Sequence, residues 1–199
     1  KSPESITSMF NNIENNGDIE MASDWLREKG ILKAAKQADR IAAEGLVGLA
    51  SSGTSAALVE VNSETDFVGK NAEFQAAVRE VAGAALANGG DAAKALHSKS
   101  SQGNTIGEML VGLVAKIGEN MTLRRADAMS VSDGVVASYL HNVAAEGMGK
   151  IGVLVALEST ADKARLMDLG RKVAMHVASA KPLAATTAEL DPAVVEKEK

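Results

Sequence analysis

The fold is decided by residues 46–61, which read LVGLASSGTSAALVEV. Two short apolar runs, Leu46 to Ala50 and Ala56 to Val61, flank a segment of serine, glycine and threonine. Apolar runs of this length around turn-forming residues are typical of two strands joined as a β-hairpin. Helical patterns surround this stretch on both sides, so we predict an α+β fold built around a hairpin.

The residues after the hairpin predict two helices and a further strand. Asn71 is a candidate cap for a helix that ends at Gly89-Gly90, and the helix has one apolar stripe, made of Phe74, Ala77, Val78, Val81, Ala85 and Leu86. A polar, serine-rich loop follows. Thr105 and Glu108 have the spacing of a capping box, which predicts a second helix that extends to Ile117. Residues 121–129 alternate in polarity as a strand does.

The hairpin-and-helix unit occurs a second time. Residues 136–141 and 151–157 predict a second hairpin around a glycine-rich turn, and a helix follows from about residue 165 to 179. When the sequences of the two copies are aligned by their predicted strands and helices, the first copy contains additional residues within 62–70. The sequence therefore predicts a duplicated α+β unit with an insertion in its first copy.

Three short helices are predicted at the beginning of the chain, and they end at Gly17, Gly30 and Gly45. Glycine often follows the last turn of a helix because it adopts a left-handed conformation without steric cost. These helices predict a small helical module before the first hairpin.

Composition excludes several classes of function. The chain of 199 residues has no cysteine, only three well-separated histidines and 3% aromatic residues, and its formal net charge is -5. We therefore expect no metal site and no nucleic acid partner. The apolar runs are far shorter than a bilayer-spanning segment, so we expect no membrane partner either. The glycines of residues 147–152 match a dinucleotide-binding pattern, but a strand follows them where that pattern needs a helix. We interpret them as a hairpin turn.

The insertion contains Phe67, one of three phenylalanines in the chain. Two interpretations are open from the residues alone. The ring packs back into its own domain, with Thr65 or Asp66 capping a short turn, or it is exposed and binds a protein partner. Burial of such a ring at an interface contributes about 2 to 3 kcal/mol.

Residues 58–68, which read LVEVNSETDFV, closely resemble the signature of the elongation factor Ts family. The resemblance continues in order along residues 17–199. Its further matches are Trp25–Gly30, Ala42–Gly45, Ala115–Asn120, Arg124–Arg125, Ser138–His141 and Ala174–Ala178.

The resemblance implies a division into three parts. Residues 1–45 are expected to form a helical module like a ubiquitin-associated domain, which lacks a helix that the family normally has. Residues 46–134 and 135–199 are expected to form two related subdomains of antiparallel sheet packed with helices. The second subdomain stops before the helical hairpin that the family uses for dimerisation, so we expect a monomer.

The resemblance also implies a function, namely guanine nucleotide exchange on elongation factor Tu in its GDP-bound and nucleotide-free states. This function implies no cofactor and no catalytic residues in this chain. In the family an aromatic ring enters a pocket of the GTPase and shifts the elements that hold Mg²⁺ and the phosphates. The residues that match family contacts are Thr65, Asp66, Phe67, Val68, Ile117, Gly118 and His141.

Alternatives remain beside these expectations. Ile117 also continues the apolar stripe of its helix, and His141 fits a hydrogen-bonded side chain at a strand end. A protein-interaction adaptor without exchange activity is the alternative function. The expected location is the bacterial cytoplasm, with the mitochondrial matrix or the plastid as alternatives.

Overall fold

A computed structural model describes residues 19–184 and 186–197. Within these ranges the chain forms an α+β fold of antiparallel strands packed against helices, as predicted. The predicted helix before Gly17 lies outside the described residues. No helix in the described ranges is both long and apolar enough to cross a membrane.

The elements are named here in chain order. The strands are β1 (Glu44–Ser52), β2 (Ser55–Ser63), β3 (Met121–Ser130), β4 (Gly134–His141), β5 (Met148–Gly149) and β6 (Ile151–Glu158). The α-helices are α1 (Ile19–Gln37), α2 (Ala72–Ala87), α3 (Ala92–His97), α4 (Ile106–Ile117), α5 (Lys163–Ala180) and α6 (Pro192–Lys197). Two short 3₁₀ helices span Asp66–Lys70 and Thr187–Glu189.

The first sheet is built on the predicted hairpin. β1 and β2 pair antiparallel around a tight turn in which Gly53 has a φ of 58°. Glycine adopts this conformation readily because it has no Cβ. β3 pairs with β2, and the short β5 pairs with the opposite edge of β1, so the strand order is β3-β2-β1-β5.

Helix α2 covers one face of this sheet and forms the main core with it. The Asn71 side chain caps the helix by accepting hydrogen bonds from the backbone N–H groups of Glu73 and Phe74, as predicted. The largest fully buried side chains of these two elements are Phe74, Val78 and Val81 from α2 and Val59 and Val61 from β2. Full burial of each contributes about 1.5 to 3 kcal/mol, which makes this face the main source of stability.

Helix α4 begins with the predicted capping box. The Thr105 hydroxyl accepts from the Glu108 backbone N–H, and the Glu108 carboxylate accepts from the Thr105 N–H. The short helix α3 corrects the prediction of a polar loop in this region, since its six residues are too few to show a helical period. Its cap is Asp91, which accepts from the Lys94 N–H.

Helix α1 corrects the prediction for the start of the chain. It continues through Gly30, where the sequence predicts a helix end; a Cβ there would make only an ordinary van der Waals contact, 3.4 Å from the Ala115 Cβ on α4. The predicted helix from residue 34 to Gly45 is also wrong. The helix ends at Gln37, and the Asn120 side chain then binds the carbonyl oxygens of Ala38 and Arg40.

The second unit has the predicted hairpin and helix. β4 and β6 pair antiparallel from Gly134↔Glu158 to His141↔Ile151. Helix α5 packs on this pair through the buried Gly170 and Ala174. Both units are therefore an antiparallel hairpin followed by a helix, which confirms the predicted duplication at the level of these elements.

The two sheets contact each other on the face of the first sheet that α2 does not cover. At one end a small apolar cluster of Ala56, Val131 and Val136 closes the contact. Gly152 approaches so closely that a Cβ there would lie 2.7 Å from Val47 Cγ1. At the other end an open cleft of about 470 Å³ is lined by residues that include Glu60 and Lys150.

Candidate partner-binding site

The insertion of the first unit forms an exposed aromatic turn, named here the Phe67 turn (Asp66–Lys70). The Phe67 side chain is 74% exposed, whereas its neighbours Val68 and Gly69 are buried. The interpretation of Phe67 as a core plug is therefore excluded. Val68 lies beneath the turn and anchors it, so the backbone is fixed while the ring projects into solvent.

Hydrogen bonds hold both ends of the Phe67 turn. At its beginning, the buried Ser63 hydroxyl donates to the Thr65 carbonyl oxygen over 2.9 Å. At its end, the Asn71 N–H donates to the Val68 carbonyl and the Gln75 side chain donates to the Gly69 carbonyl. The turn thus continues directly into α2 and shares the rigidity of that helix.

No side chain caps the turn itself. Thr65 is at the capping position, but its side chain makes no capping hydrogen bond, and Asp66 is the first residue of the turn. The expectation that one of these two side chains caps the turn is wrong. The exposed Asp66 carboxylate forms no hydrogen bond or ion pair with any of the described residues, so it is available to a partner.

The Thr65 side chain is instead part of a cross-connection to the segment after α4. The Glu119 carboxylate accepts from the Thr65 N–H at 2.9 Å and from the Thr65 hydroxyl at 2.7 Å. In the opposite direction, Glu64 Oε1 accepts from the Asn120 N–H at 2.6 Å. We name these four residues the carboxylate clamp (Glu64, Thr65, Glu119 and Asn120).

The carboxylate clamp ties the segment that follows Ile117 and Gly118 to Thr65, the residue before the Phe67 turn. Gly118 ends α4 in a left-handed conformation, with φ 90° and ψ 10°. Its carbonyl oxygen accepts from Gln37 Nε2 at 2.9 Å and from Arg40 Nη1 at 3.3 Å. Ile117 is partly buried against the main core, so its side chain is shared between core and surface.

His141 is the last residue of β4. It is exposed, and its Nδ1 is 3.1 Å from the Tyr139 hydroxyl. Its carbonyl accepts from the Lys150 N–H, and Lys150 Nζ reaches Glu44 and Gly45 at the start of β1. Within the described residues no hydrogen bond or ion pair connects His141 to the Phe67 turn, whereas Ile117 and Gly118 are linked to Thr65 through Glu119, which follows them in the chain.

Sequence reasoning missed the residues that hold the site together, namely Glu64, Glu119 and Arg40. Arg40 Nη1 lies 3.3 Å from Glu64 Oε1 and so joins the segment after α1 to the carboxylate clamp. No local pattern could have revealed these pairs, since Glu64 and Asn120 are 56 residues apart. Among the described residues no cluster of three or more acidic or histidine side chains suits a metal ion.

Comparison with known proteins defines the class of this α+β protein with its anchored aromatic turn. The family model described as elongation factor TS matches residues 64–199. Elongation factor Ts of Caulobacter vibrioides is 55% identical over 190 residues, which cover 94% of this chain and 61% of that protein. Elongation factor Ts of Rhizobium meliloti is 56% identical, and that of Parvibaculum lavamentivorans 52%, each over 187 residues with the same coverage of both chains.

The chain therefore belongs to the elongation factor Ts family. It spans about 61% of the length of these curated relatives.

Proposed function

We propose that the chain is a translation elongation factor that binds elongation factor Tu and promotes the release of GDP. The observation that carries the proposal is the exposed Phe67 ring on a turn whose backbone is fixed on both sides. Family membership supports the choice of partner, because each relative described above is named elongation factor Ts.

The exposed ring has the properties of an interface anchor. An aromatic side chain that is solvated in the free protein and buried in a complex supplies a large apolar contact. Because the turn is already rigid, little conformational entropy is lost when the partner binds. Asp66, next to it, adds an unpaired negative charge that orients the approach of a partner.

The proposed mechanism requires no bond-making chemistry from this chain, which acts as an exchange factor and not as an enzyme. A partner that binds the nucleotide-free GTPase more tightly than the GDP-bound form must weaken GDP binding by the same factor. Insertion of Asp66 and Phe67 distorts the site of Mg²⁺ and the phosphates. Mg²⁺ demands near-ideal octahedral geometry, so a small displacement of its ligands has a large effect on affinity.

Further contacts are proposed on either side of the turn. Ile117 and Gly118 extend the surface from the Phe67 turn along the end of α4, and His141 forms a separate contact. Thr65 and Val68 contribute by supporting the turn, since Thr65 is hydrogen-bonded to Glu119 and Val68 is buried.

The complex is one to one and the free chain is monomeric, which sedimentation of the complex and of the free chain will test. We place the complex in the bacterial cytoplasm.

The proposal is tested by measuring release of labelled GDP from elongation factor Tu with and without the chain. Phe67→Ala removes the ring, and a hot-spot truncation costs about 2 to 4 kcal/mol, or about thirty- to eight-hundred-fold in the exchange rate. The melting temperature stays unchanged because the ring makes no core contact.

Leu183→Ala is the matched control, because Leu183 is also a large exposed apolar residue at 79% and lies outside the proposed surface. We expect wild-type exchange from this variant. Equal losses in the two variants, or a strongly lowered melting temperature for Phe67→Ala with exchange intact per folded molecule, would contradict the proposal. Binding of elongation factor Tu without GDP release would show an adaptor instead.

A further inference from the structure

We propose that Glu119 is a positioning residue, which fixes the direction in which the Phe67 turn presents its ring. Its effect on exchange rests on the function proposed above, whereas its effect on the turn does not. Glu119 follows α4 and has no place in the turn itself, yet its carboxylate holds the backbone and the side chain of the residue directly before Asp66.

The geometry explains why a carboxylate is needed. Each of its two oxygens accepts one hydrogen bond from Thr65, one from the N–H at 2.9 Å and one from the hydroxyl at 2.7 Å. Two hydrogen bonds accepted by one rigid, planar carboxylate restrict the rotation of Thr65 as well as its distance from Glu119. Hydrogen bonds to an ionised acceptor are also stronger than those between neutral groups.

The start of the turn depends on this contact more than its end does. The end is held by Asn71 and Gln75, which belong to the helix α2 segment. The start lacks a side-chain cap, so the carboxylate clamp and Ser63 are what fix it. Loss of Glu119 therefore frees the turn on the side where the chain enters it.

Glu119 also sets the spacing of two proposed contacts. It follows Ile117 and Gly118 immediately, and it binds the residue two positions before Phe67. The reciprocal bond from Asn120 to Glu64 prevents the two segments from sliding past each other. A partner therefore meets both contact points at a fixed separation.

The chain offers a closely matched control for this test. Glu80, on α2, accepts from the Ser101 N–H at 2.8 Å and from the Ser101 hydroxyl at 2.6 Å. This is the same arrangement of one carboxylate with the N–H and hydroxyl of one residue, in a loop outside the proposed surface. Glu80→Ala thus removes an equivalent interaction without touching the Phe67 turn.

The first measurement needs no partner. In Glu119→Ala we expect the NMR order parameter of the Phe67 amide to fall from about 0.85 toward 0.6. We also expect hydrogen exchange at the Thr65 amide to become at least about tenfold faster, as suits the loss of one hydrogen bond to a charged group. In Glu80→Ala the Ser101 amide exchanges faster and Phe67 keeps its wild-type order.

The second measurement is GDP release from elongation factor Tu. We expect Glu119→Ala to slow exchange about tenfold and Glu80→Ala to leave it unchanged. Thr65→Val combined with Glu119→Ala is expected to cost little more than Glu119→Ala alone, because both changes remove the same contact. Glu119→Gln keeps one acceptor oxygen, so it is expected to be intermediate, and it serves as the test if Glu119→Ala does not fold.

The proposal is overturned if Phe67 keeps wild-type order in Glu119→Ala, or if its order falls while exchange stays at the wild-type rate. It is also overturned if Glu80→Ala slows exchange as much as Glu119→Ala. A wild-type chain without exchange activity would refute the proposed function, and the order of Phe67 would then decide the positioning role by itself.

Discussion

The two hairpin-and-helix units differ most in the segment that links the second strand to the helix. In the first unit residues 64–71 connect β2 to α2 and contain the Phe67 turn, whereas in the second unit residues 159–162 connect β6 to α5 directly. The same supersecondary structure thus forms with and without the insertion. The insertion is not needed to connect the strand and the helix, which is why its aromatic side chain is free to be exposed.

The two units also differ in how their helices pack. Helix α2 buries large side chains, with Phe74, Val78 and Val81 all at 0% exposure. Helix α5 contacts its strands through the small residues Gly170 and Ala174, and Met167 and Leu169 remain exposed beside them. The unit with the Phe67 turn is therefore the better anchored one, which suits a scaffold for a functional loop.

The largest expected effect distinguishes the two phenylalanines of the first unit. Phe74→Ala creates a cavity in the main core and should lower the free energy of unfolding by about 3 to 5 kcal/mol. Phe67→Ala should leave it nearly unchanged. Denaturant unfolding of both variants checks this contrast, and similar losses from the two would mean that the turn is part of the core.

The next effect compares helices α5 and α2 through one glycine-to-alanine substitution in each, measured as a change in stability. Gly170→Ala places a Cβ 2.5 Å from the Ala137 Cβ, so it should destabilise the protein by about 1 to 3 kcal/mol. Gly83→Ala on α2 meets no atom within 4 Å and should stabilise by about 0.5 to 1 kcal/mol, since alanine favours helix. Thermal melting of the two variants shows whether each substitution lowers or raises the stability. Stabilisation by Gly170→Ala would show that α5 is not closely packed on its strands.

A smaller effect concerns the charge of the Phe67 turn. Because Asp66 does not cap the turn, Asp66→Asn should leave stability unchanged and slow exchange about two- to fivefold at low salt, as expected for an exposed charge pair. The difference should disappear at high salt. An exchange rate equal to wild type at both salt concentrations would remove any role for the charge.

The smallest effect concerns α4, whose capping box has no counterpart at the start of α5, where Arg165 has the position of Glu108. The hydrogen bond from the Thr105 backbone N–H lowers the pKa of Glu108. Because the pKa of Glu108 is lower in the folded protein than in the unfolded chain, its ionised form stabilises the fold. This stability is fully present above the pKa of the unfolded chain and is lost as the pH falls through the lower pKa of the folded protein. Melting temperatures of wild type and Glu108→Gln should therefore differ near neutral pH and converge in strong acid. A constant difference across the pH range would contradict this assignment.

Much of the fold could be predicted because its signals are local. The two apolar runs of residues 46–61 around turn-forming residues predict a hairpin, and Asn71 and the Thr105 capping box mark the starts of two helices within one turn of chain. The continuous helix α1 could not be predicted. A glycine such as Gly30 is typical of a helix end, yet α1 runs from Ile19 to Gln37 and packs against α4, which is distant in sequence.

The candidate site could be predicted only in part. The residues next to Phe67 were found from a contiguous signature, and the exposure of the ring decides between the two interpretations that the sequence left open. The pairing of Thr65 with Glu119 spans 54 residues, so it depends on how α4 is placed against the first sheet. Local patterns carry no information about such a contact.

The pairing of β5 with β1 has a consequence for the order of folding. β1, β2 and β3 are neighbours in the sheet and can form from residues 44–130 alone, whereas Met148 and Gly149 reach β1 only after β4 has been made. Contacts between segments so distant in sequence carry a loop-closure cost and form late. During synthesis on the ribosome the β1 edge of the first sheet therefore stays open until the chain returns to it. Burial of Met148, which is 1% exposed, is the event that closes it.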